Sequence, residues 1–271
     1  MSTHWGYHSH NGPEKWPELF PMASGHRQSP VNIHRDVTTR GSTLKHPLTW
    51  KYVPANTKSL INPGYSWRVD VNGEGSALSG GPLFTDVFQL EQYHCHWGCS
   101  DGKGSEHTVD GVSYSGELHL VHWNTTKYAT FDEAAKHHDG LAVLGVFLKI
   151  GRHHEELHKI TKLLPFIMHK GDRVTLSDSP EPCDPGKLLP ESKAFWTYLG
   201  SLTTPPFSES VIWMVMKEPV EISHKQIELM RNLRCYDVND ECPCDEMGKV
   251  VNNYRPPLPL GNRELREYGH H

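Results

Sequence analysis

Two short segments, Gln92–Trp97 (QYHCHW) and Glu117–Trp123 (ELHLVHW), do most to constrain this chain, because each spaces polar side chains two residues apart. In extended strands that spacing puts Gln92, His94 and His96 on one face and Tyr93, Cys95 and Trp97 on the other. Likewise Glu117, His119, Val121 and Trp123 share a face, while Leu118, Leu120 and His122 point away. Neighbouring strands lie roughly 4.8 Å apart, close enough for His119 to meet His94 and His96 around one centre. Three imidazoles leave one tetrahedral position on Zn²⁺ for water, the pattern of a catalytic rather than a structural zinc. Gln92 and Glu117 each stand two residues before a proposed ligand, where they can accept a ring N–H and fix the tautomer. Buried histidines that merely hydrogen-bond in a mixed core would explain any one of these positions more easily than all five together. Alternation turns Cys95 away, so it is read as packing and not as a ligand.

The rest of the chain supplies the sheet such a site needs. Strands are predicted around 56–62, 66–72, 87–97 and 114–123, with Trp67, Val69 and Val71 alternating against Arg68, Asp70 and Asn72. Leu141–Ile150 and Val211–Met216 are more continuously apolar and read as central strands covered on both sides. Helices are few: capping-box spacing at Thr130–Glu133 and at Ser223–Gln226 starts two, and a third covers roughly 153–164. Residues 1 to about 45 are irregular, pinned by Trp5, Tyr7 and Trp16. No linker, composition break or repeat divides the 271 residues. The expectation is mainly β with a mixed α/β periphery: one domain over 1–271, core about 4–263, around a large sheet with short surface helices.

Composition narrows the function. A net charge of −5 gives no support for a broad nucleic-acid or anionic-membrane footprint, and the longest apolar run, Leu141–Leu148, is too short to cross a bilayer. The start, MSTHWGYHSHNGPEKW, lacks a basic region followed by an apolar core and does not read as a signal peptide. A cytoplasmic protein is favoured, with a secreted form whose signal has been trimmed left open. Six cysteines are too sparse for a disulfide scaffold. Three of them, Cys235, Cys242 and Cys244, crowd one polar loop, where exposed thiols, a disulfide or a metal all remain open. His154–His158 matches HExxH, but its histidines lie well off the apolar stripe of Leu157, Ile160 and Leu164, so a cleft-bound protease zinc is rejected. His137–His138 closes another helix, and His4, His8, His10, His26, His34 and His46 fall in loops or short segments, by default at the surface.

The histidine segments sit among stretches that closely resemble the alpha-class carbonic anhydrases. They include HWGY (4–7), RQSPVNI (27–33), GGPL (80–83), HCHWG (94–98), GSEHTVDG (104–111), ELHLVHWN (117–124), GSLTTPP (200–206) and NNYRPPLPL (252–260). The resemblance spans residues 4 to 263 and implies a large, predominantly antiparallel twisted sheet. It also implies reversible hydration of carbon dioxide to bicarbonate by zinc-hydroxide attack, with one Zn²⁺ per chain. By motif, His94, His96 and His119 resemble the zinc ligands, supported by Gln92, Glu117 and the backbone carbonyl of Asn253. Thr203 and Glu106 resemble the hydrogen-bonded pair that orients the attacking oxygen. Val121, Val143, Leu202, Val211 and Trp213 resemble the apolar wall for carbon dioxide, and Tyr7, Asn62 and Thr204 the polar or water-ordering members of the cavity. Ser29-Pro30 and Pro205-Pro206 match positions where the family uses cis peptides.

Two departures stand out. Tyr65 occupies the position where fast members carry a proton-shuttling histidine, and a phenol titrates about 3 units above neutrality. Arg68 replaces a side chain that is often neutral, and its fixed charge should disfavour a protonated intermediate and favour anions. The resemblance therefore implies a zinc lyase, a carbonate dehydratase, with slower proton export that His4 partly assists. Sulfonamides and small anions are the inhibitors it implies, and a monomer the assembly. A non-catalytic scaffold, associated with mineral, is the alternative on the same fold. Many secreted members join positions matching Ala23 and Phe207 by a disulfide, and its absence here again favours the cytoplasm.

Overall fold

A computed structural model describes residues 4–41, 47–243 and 245–269. His46 and Cys244 lie outside the described residues. The strands that frame the site are β1 (Thr57–Ile61), β2 (Arg68–Val71), β3 (Phe88–Trp97), β4 (Gly116–Asn124), β5 (Leu141–Ile150), β6 (Phe195–Gly200) and β7 (Val211–Met216). Across the sheet the order is Arg173–Thr175, β1, β2, β3, β4, β5, β7, β6, Arg266–Tyr268 and Thr39–Arg40. Most neighbours run antiparallel, as expected, but β5 pairs parallel to β7. That pairing explains why both read as continuous apolar runs, since a parallel pair is covered on both faces.

Each face of the sheet carries its own core. One contains Trp67, Val69, Tyr93, Cys95, Trp97, Leu118, Leu120, Leu144, Val146, Met214 and Met216. The other contains Val121, Leu141, Val143, Phe147, Val211, Trp213 and Val215. Alternation along β3 is interrupted once. Leu90 pairs with His122 while Gln92 pairs with Val121, so Glu91 is an extra residue, a β-bulge. Phe88 and Leu90 therefore pack in the same core as Tyr93, Cys95 and Trp97.

The helices are short and peripheral: α1 (Phe131–Ala134), α2 (Glu155–Thr161) and α3 (His224–Arg231), besides a single turn at Trp16–Leu19. The Ser223 hydroxyl accepts from Gln226 N–H, and the Gln226 side chain reciprocates, completing the predicted box. At Thr130 only the hydroxyl half forms. In the HExxH helix, Leu157, Ile160 and Leu164 are buried, and Glu156 accepts from Asp184 N–H. His154 caps the helix by accepting from Leu157 N–H, and His158 faces outward. No helix among the described residues is long and apolar enough to cross a membrane.

The N-terminal segment is anchored by aromatic packing. Trp16, Ala23 and Phe207 are buried together, with Trp5, Tyr7 and Phe20 against them. Both Ser29-Pro30 and Pro205-Pro206 are cis.

The turn that leads into Glu106 demands glycine at one position. Gly104 has φ +142°, and a β-carbon there would lie 2.0 Å from the Ser115 carbonyl oxygen. Gly102, two residues earlier, has open space around it. Gly104→Ala should lower unfolding stability in urea by at least about 2 kcal/mol. Gly102→Ala should stay within about 0.5 kcal/mol. Equal effects would contradict this account of the turn.

Candidate metal centre

Register brings the imidazoles together. His94 lies directly across from His119, and His96 across from Glu117, in the antiparallel pairing of β3 with β4. The ring centroids are 5.1 Å apart for His94 and His96, 5.3 Å for His94 and His119, and 4.6 Å for His96 and His119. One nitrogen from each ring falls within 4.8 Å of the other two.

Hydrogen bonds fix which nitrogens those are. His94 Nδ1–H donates to Gln92 Oε1 at 2.7 Å, and His96 Nδ1–H donates to the Asn253 carbonyl at 2.7 Å. His119 Nε2–H donates to Glu117 Oε2. These acceptors take the ring protons, leaving lone pairs on His94 Nε2, His96 Nε2 and His119 Nδ1. Two of those lone-pair nitrogens, on His96 and His119, face each other at 3.1 Å. In that tautomer assignment a cation would satisfy the facing acceptors, and three neutral imidazoles suit Zn²⁺. The donor set therefore fits the zinc expected from the sequence.

Glu106 is fully buried beside this centre. Its Oε1 is 3.2 Å from His96 Nε2 without a hydrogen-bond partner, and its Oε2 accepts from Arg255 N–H at 2.7 Å. Burial pushes its carboxyl up to about 7, against the lowering effects of His119, Arg255 N–H and the nearby Thr203 hydroxyl. Glu117 is the opposite case. Burial would raise it, but the charges of His107 and His119 and their hydrogen bonds hold it well below the carboxylate range. Two buried carboxylates are thus driven apart by what each one touches.

Val121, Val143, Val211 and Trp213 lie in one buried cluster with Leu202 against it, and the Trp213 ring is 4.9 Å from that of His119. Thr203 is buried and Thr204 half-buried. Tyr7 is half-buried with its hydroxyl inside and unpartnered. Asn253 supplies more than its carbonyl: its side chain accepts from Trp97 N–H and donates to the Tyr65 carbonyl, both at 2.8 Å. Tyr65 is half-buried, its ring 4.7 Å from Trp5.

One expectation needs correction. Asn62 is no water-ordering cavity member, because it is 1% exposed and its amide donates to the Ile167, Met168 and Arg234 carbonyls. An Asn beside a turn carries no sequence sign of whether its amide faces water or backbone. Arg68 keeps the fixed charge expected of it, held by a carboxylate partner. Its guanidinium grips Asp70 at 2.8 and 3.3 Å, beside the Tyr65 hydroxyl and across the strand pair from His94.

Several contributors carried no recognisable signal. His107 lies one residue past Glu106 and is fully buried. Its Nδ1–H donates to Glu117 Oε2 at 2.9 Å, and Tyr198 Oη bridges its Nε2 to Ser29 Oγ. The Arg255 guanidinium reaches Gln28 Oε1 and the Ser29 and Ala23 carbonyls and stacks 4.6 Å over Phe207. Phe131, with Gln92 and Arg68, lines a cavity of about 570 Å³. A further cluster, His34, Asp36 and Asp110, is exposed, and Arg35 already occupies the Asp110 carboxylate at 2.6 Å.

Comparison with known proteins agrees with the geometry. The eukaryotic-type carbonic anhydrase family matches residues 11–269. The chain is also 43% identical over 267 residues to mouse carbonic anhydrase 1, covering 98% of each sequence. It belongs to the eukaryotic-type, or alpha-class, carbonic anhydrase family. With its three converging imidazoles it is a catalytic member, a zinc-dependent lyase acting on carbon dioxide and bicarbonate.

Glu117→Gln removes the charge that holds both His119 and His107. Zinc affinity, measured by chelator competition, should fall about 10–100-fold; unchanged affinity would contradict the role given to Glu117.

The metal-free protein should also be acid-sensitive in a defined window. Burial, then the neighbouring imidazoles and Arg68, hold His94 well below the histidine range. Burial first, then His119, puts His96 at about 3, and burial puts His122 at about 4. Unfolded histidines titrate near 6.5, so below that pH the unfolded chain binds three protons that the native state refuses. Glu106, raised to about 7, binds one proton in the native state and offsets one of the three. The net two protons should cost on the order of 2–3 kcal/mol per pH unit as pH falls from about 6 to 4.5. Urea unfolding of chelator-treated protein across that range checks both sign and slope.

Proposed function

We propose that His94, His96 and His119 hold one zinc ion per chain, in a hydratase whose proton export is slowed by Tyr65. The observation that carries the metal assignment is the pair of buried lone-pair nitrogens of His96 and His119 facing each other at 3.1 Å. Zinc supplies a Lewis acid that makes hydroxide available near neutrality; for carbonic anhydrases as a class the bound water titrates near 7, a known value rather than one derived from this geometry.

The remaining roles belong to side chains of this chain. Glu106, its carboxyl held by Arg255 N–H, lies beside the Thr203 hydroxyl and is the acceptor assigned to its proton. Thr203 is thereby left to accept from the attacking oxygen and aim its lone pair at carbon, a contribution of orientation. Val121, Val143, Leu202, Val211 and Trp213 hold carbon dioxide against an apolar wall that excludes competing water. Tyr7 and Thr204 order the polar side. Neutral imidazoles leave the cation's charge uncancelled, which a thiolate in their place would not.

Proton export is the weak step. Tyr65 packs on Trp5, and the Arg68 guanidinium lies beside its hydroxyl. A phenol exchanges protons poorly at pH 7, and a neighbouring cation disfavours the protonated intermediate, although Asp70 compensates part of that charge. His4 is exposed and lines a cavity together with Tyr65, and can relay in part.

Stopped-flow hydration assays with zinc analysis test the reading and separate it from a non-catalytic scaffold. Small imidazole buffers should raise turnover at saturating carbon dioxide. Tyr65→His should raise kcat about tenfold or more at low buffer while leaving kcat/KM nearly unchanged. Turnover indifferent to both buffer and substitution would remove Tyr65 from the rate-limiting step.

A further inference from the structure

Among the described residues two arginines are buried, Arg231 and Arg255, and their surroundings differ in kind. Arg231 meets two carboxylates, Glu228 at 2.6 Å and Asp101 at 3.0 Å. The Arg255 guanidinium meets neutral oxygens instead. It donates to Gln28 Oε1 at 2.8 Å and to the Ser29 and Ala23 carbonyls, both at 3.0 Å. Its flat face lies 4.6 Å from the ring centre of Phe207 and 5.7 Å from that of Trp16. No carboxylate forms an ion pair with it among the described residues. A neutral donor could serve three neutral acceptors, and a buried cation is costly without a counter-charge nearby. The charge of Arg255 therefore needs a reason.

The reason lies at the reacting centre, where Glu106 and Glu117 are both fully buried. Glu117 is saturated: it accepts from the rings of His107 and His119 and from the N–H groups of Glu106 and His107. Glu106 is not. One of its oxygens accepts a backbone N–H, that of Arg255 itself at 2.7 Å, and the other has no hydrogen-bond partner. Burial pushes the guanidinium down to about 10, and of the charges that oppose this, Glu106 is the largest. A cation short of an anion and an anion short of a cation thus meet through one residue.

We propose that Arg255 is a positioning residue for the hydration step, its guanidinium serving as the fixed counter-charge of Glu106. The guanidinium bonds only outside the centre and acts through Glu106, which it keeps as the charged acceptor for the Thr203 proton. This inference rests on the role given above to the Glu106–Thr203 pair. That pair orients the attacking oxygen, whereas other groups hold the metal and export the proton. The chemical step is therefore the one that depends on Arg255.

Arg255→Met, Arg255→Lys and Glu106→Gln in the full chain test this. With zinc bound, Glu106→Gln and Arg255→Met should each lower kcat/KM for carbon dioxide hydration about tenfold or more. Arg255→Lys, which keeps the charge and loses the planar fork, should recover most of that loss. Zinc affinity by chelator competition should stay within about threefold in both Arg255 variants, because no group holding a ligand is touched. A second readout needs no metal. In zinc-free protein at pH 8, urea unfolding should be non-additive, Glu106→Gln shifting the folding equilibrium about fivefold less, or better, in the Arg255→Met background. Should Arg255→Met not fold, Gln28→Glu combined with Glu209→Gln exchanges a hydrogen-bonded pair and places a carboxylate on the guanidinium at unchanged net charge. That exchange should lower kcat/KM by diverting the counter-charge. Additive stabilities, equal losses in Arg255→Met and Arg255→Lys, or an exchange without effect would overturn the proposal while leaving Glu106 its role. Undiminished kcat/KM in Glu106→Gln would remove that role, and the proposal with it.

Discussion

The structure turns on the register between β3 and β4. His94 opposite His119, with His96 opposite Glu117, is what gathers three imidazoles and one supporting carboxylate on the same face. A slip of one residue would send His94 and His96 into the core that holds Tyr93 and Trp97, and would bring Cys95 to the site. Both faces guard against that slip. Tyr93, Cys95 and Trp97 are fully buried on one side, while each histidine on the other is committed through its second nitrogen to an acceptor of its own.

Charge is the second constraint. Glu106, Glu117, His107 and Arg255 are all buried, an expensive arrangement unless every group is paired. The pairing runs outward from the site: Glu117 to His107, His107 to Tyr198, Tyr198 to Ser29, and Glu106 to Arg255. Arg255 carries it on to Ala23 and Phe207, and so to the aromatic cluster that anchors the N-terminal segment. Residues that look like an irregular leader in the sequence are therefore part of what holds Glu106 in place.

How much could be read beforehand depended on range. Six strands fell close to their predicted bounds because alternation and turn residues are local signals. The strand at Phe195–Gly200 was not foreseen, since its pattern is weak and its burial comes from pairing with β7 and with Arg266–Tyr268. The bulge at Glu91 reverses the parity of β3, which no alternation rule anticipates. Asn62 was misplaced because an amide's partners, here three backbone carbonyls, lie more than a hundred residues away. Arg68 was foreseen as a fixed charge, yet its partner Asp70 stood two residues along the same strand face.

By itself the amino-acid sequence determined the strand-rich architecture, the three inward imidazoles with Gln92 and Glu117 behind them, and, through its resemblance, the family. These are properties of spacing along the chain, which alternation converts directly into direction. Tertiary structure alone decided that His107 and Arg255 belong to the site and that Asn62 turns its amide away from it, onto three backbone carbonyls. Each depends on segments distant in sequence packing into contact, and the energy of a buried charge or an unprotonated nitrogen is set by what surrounds it, not by its own residue type.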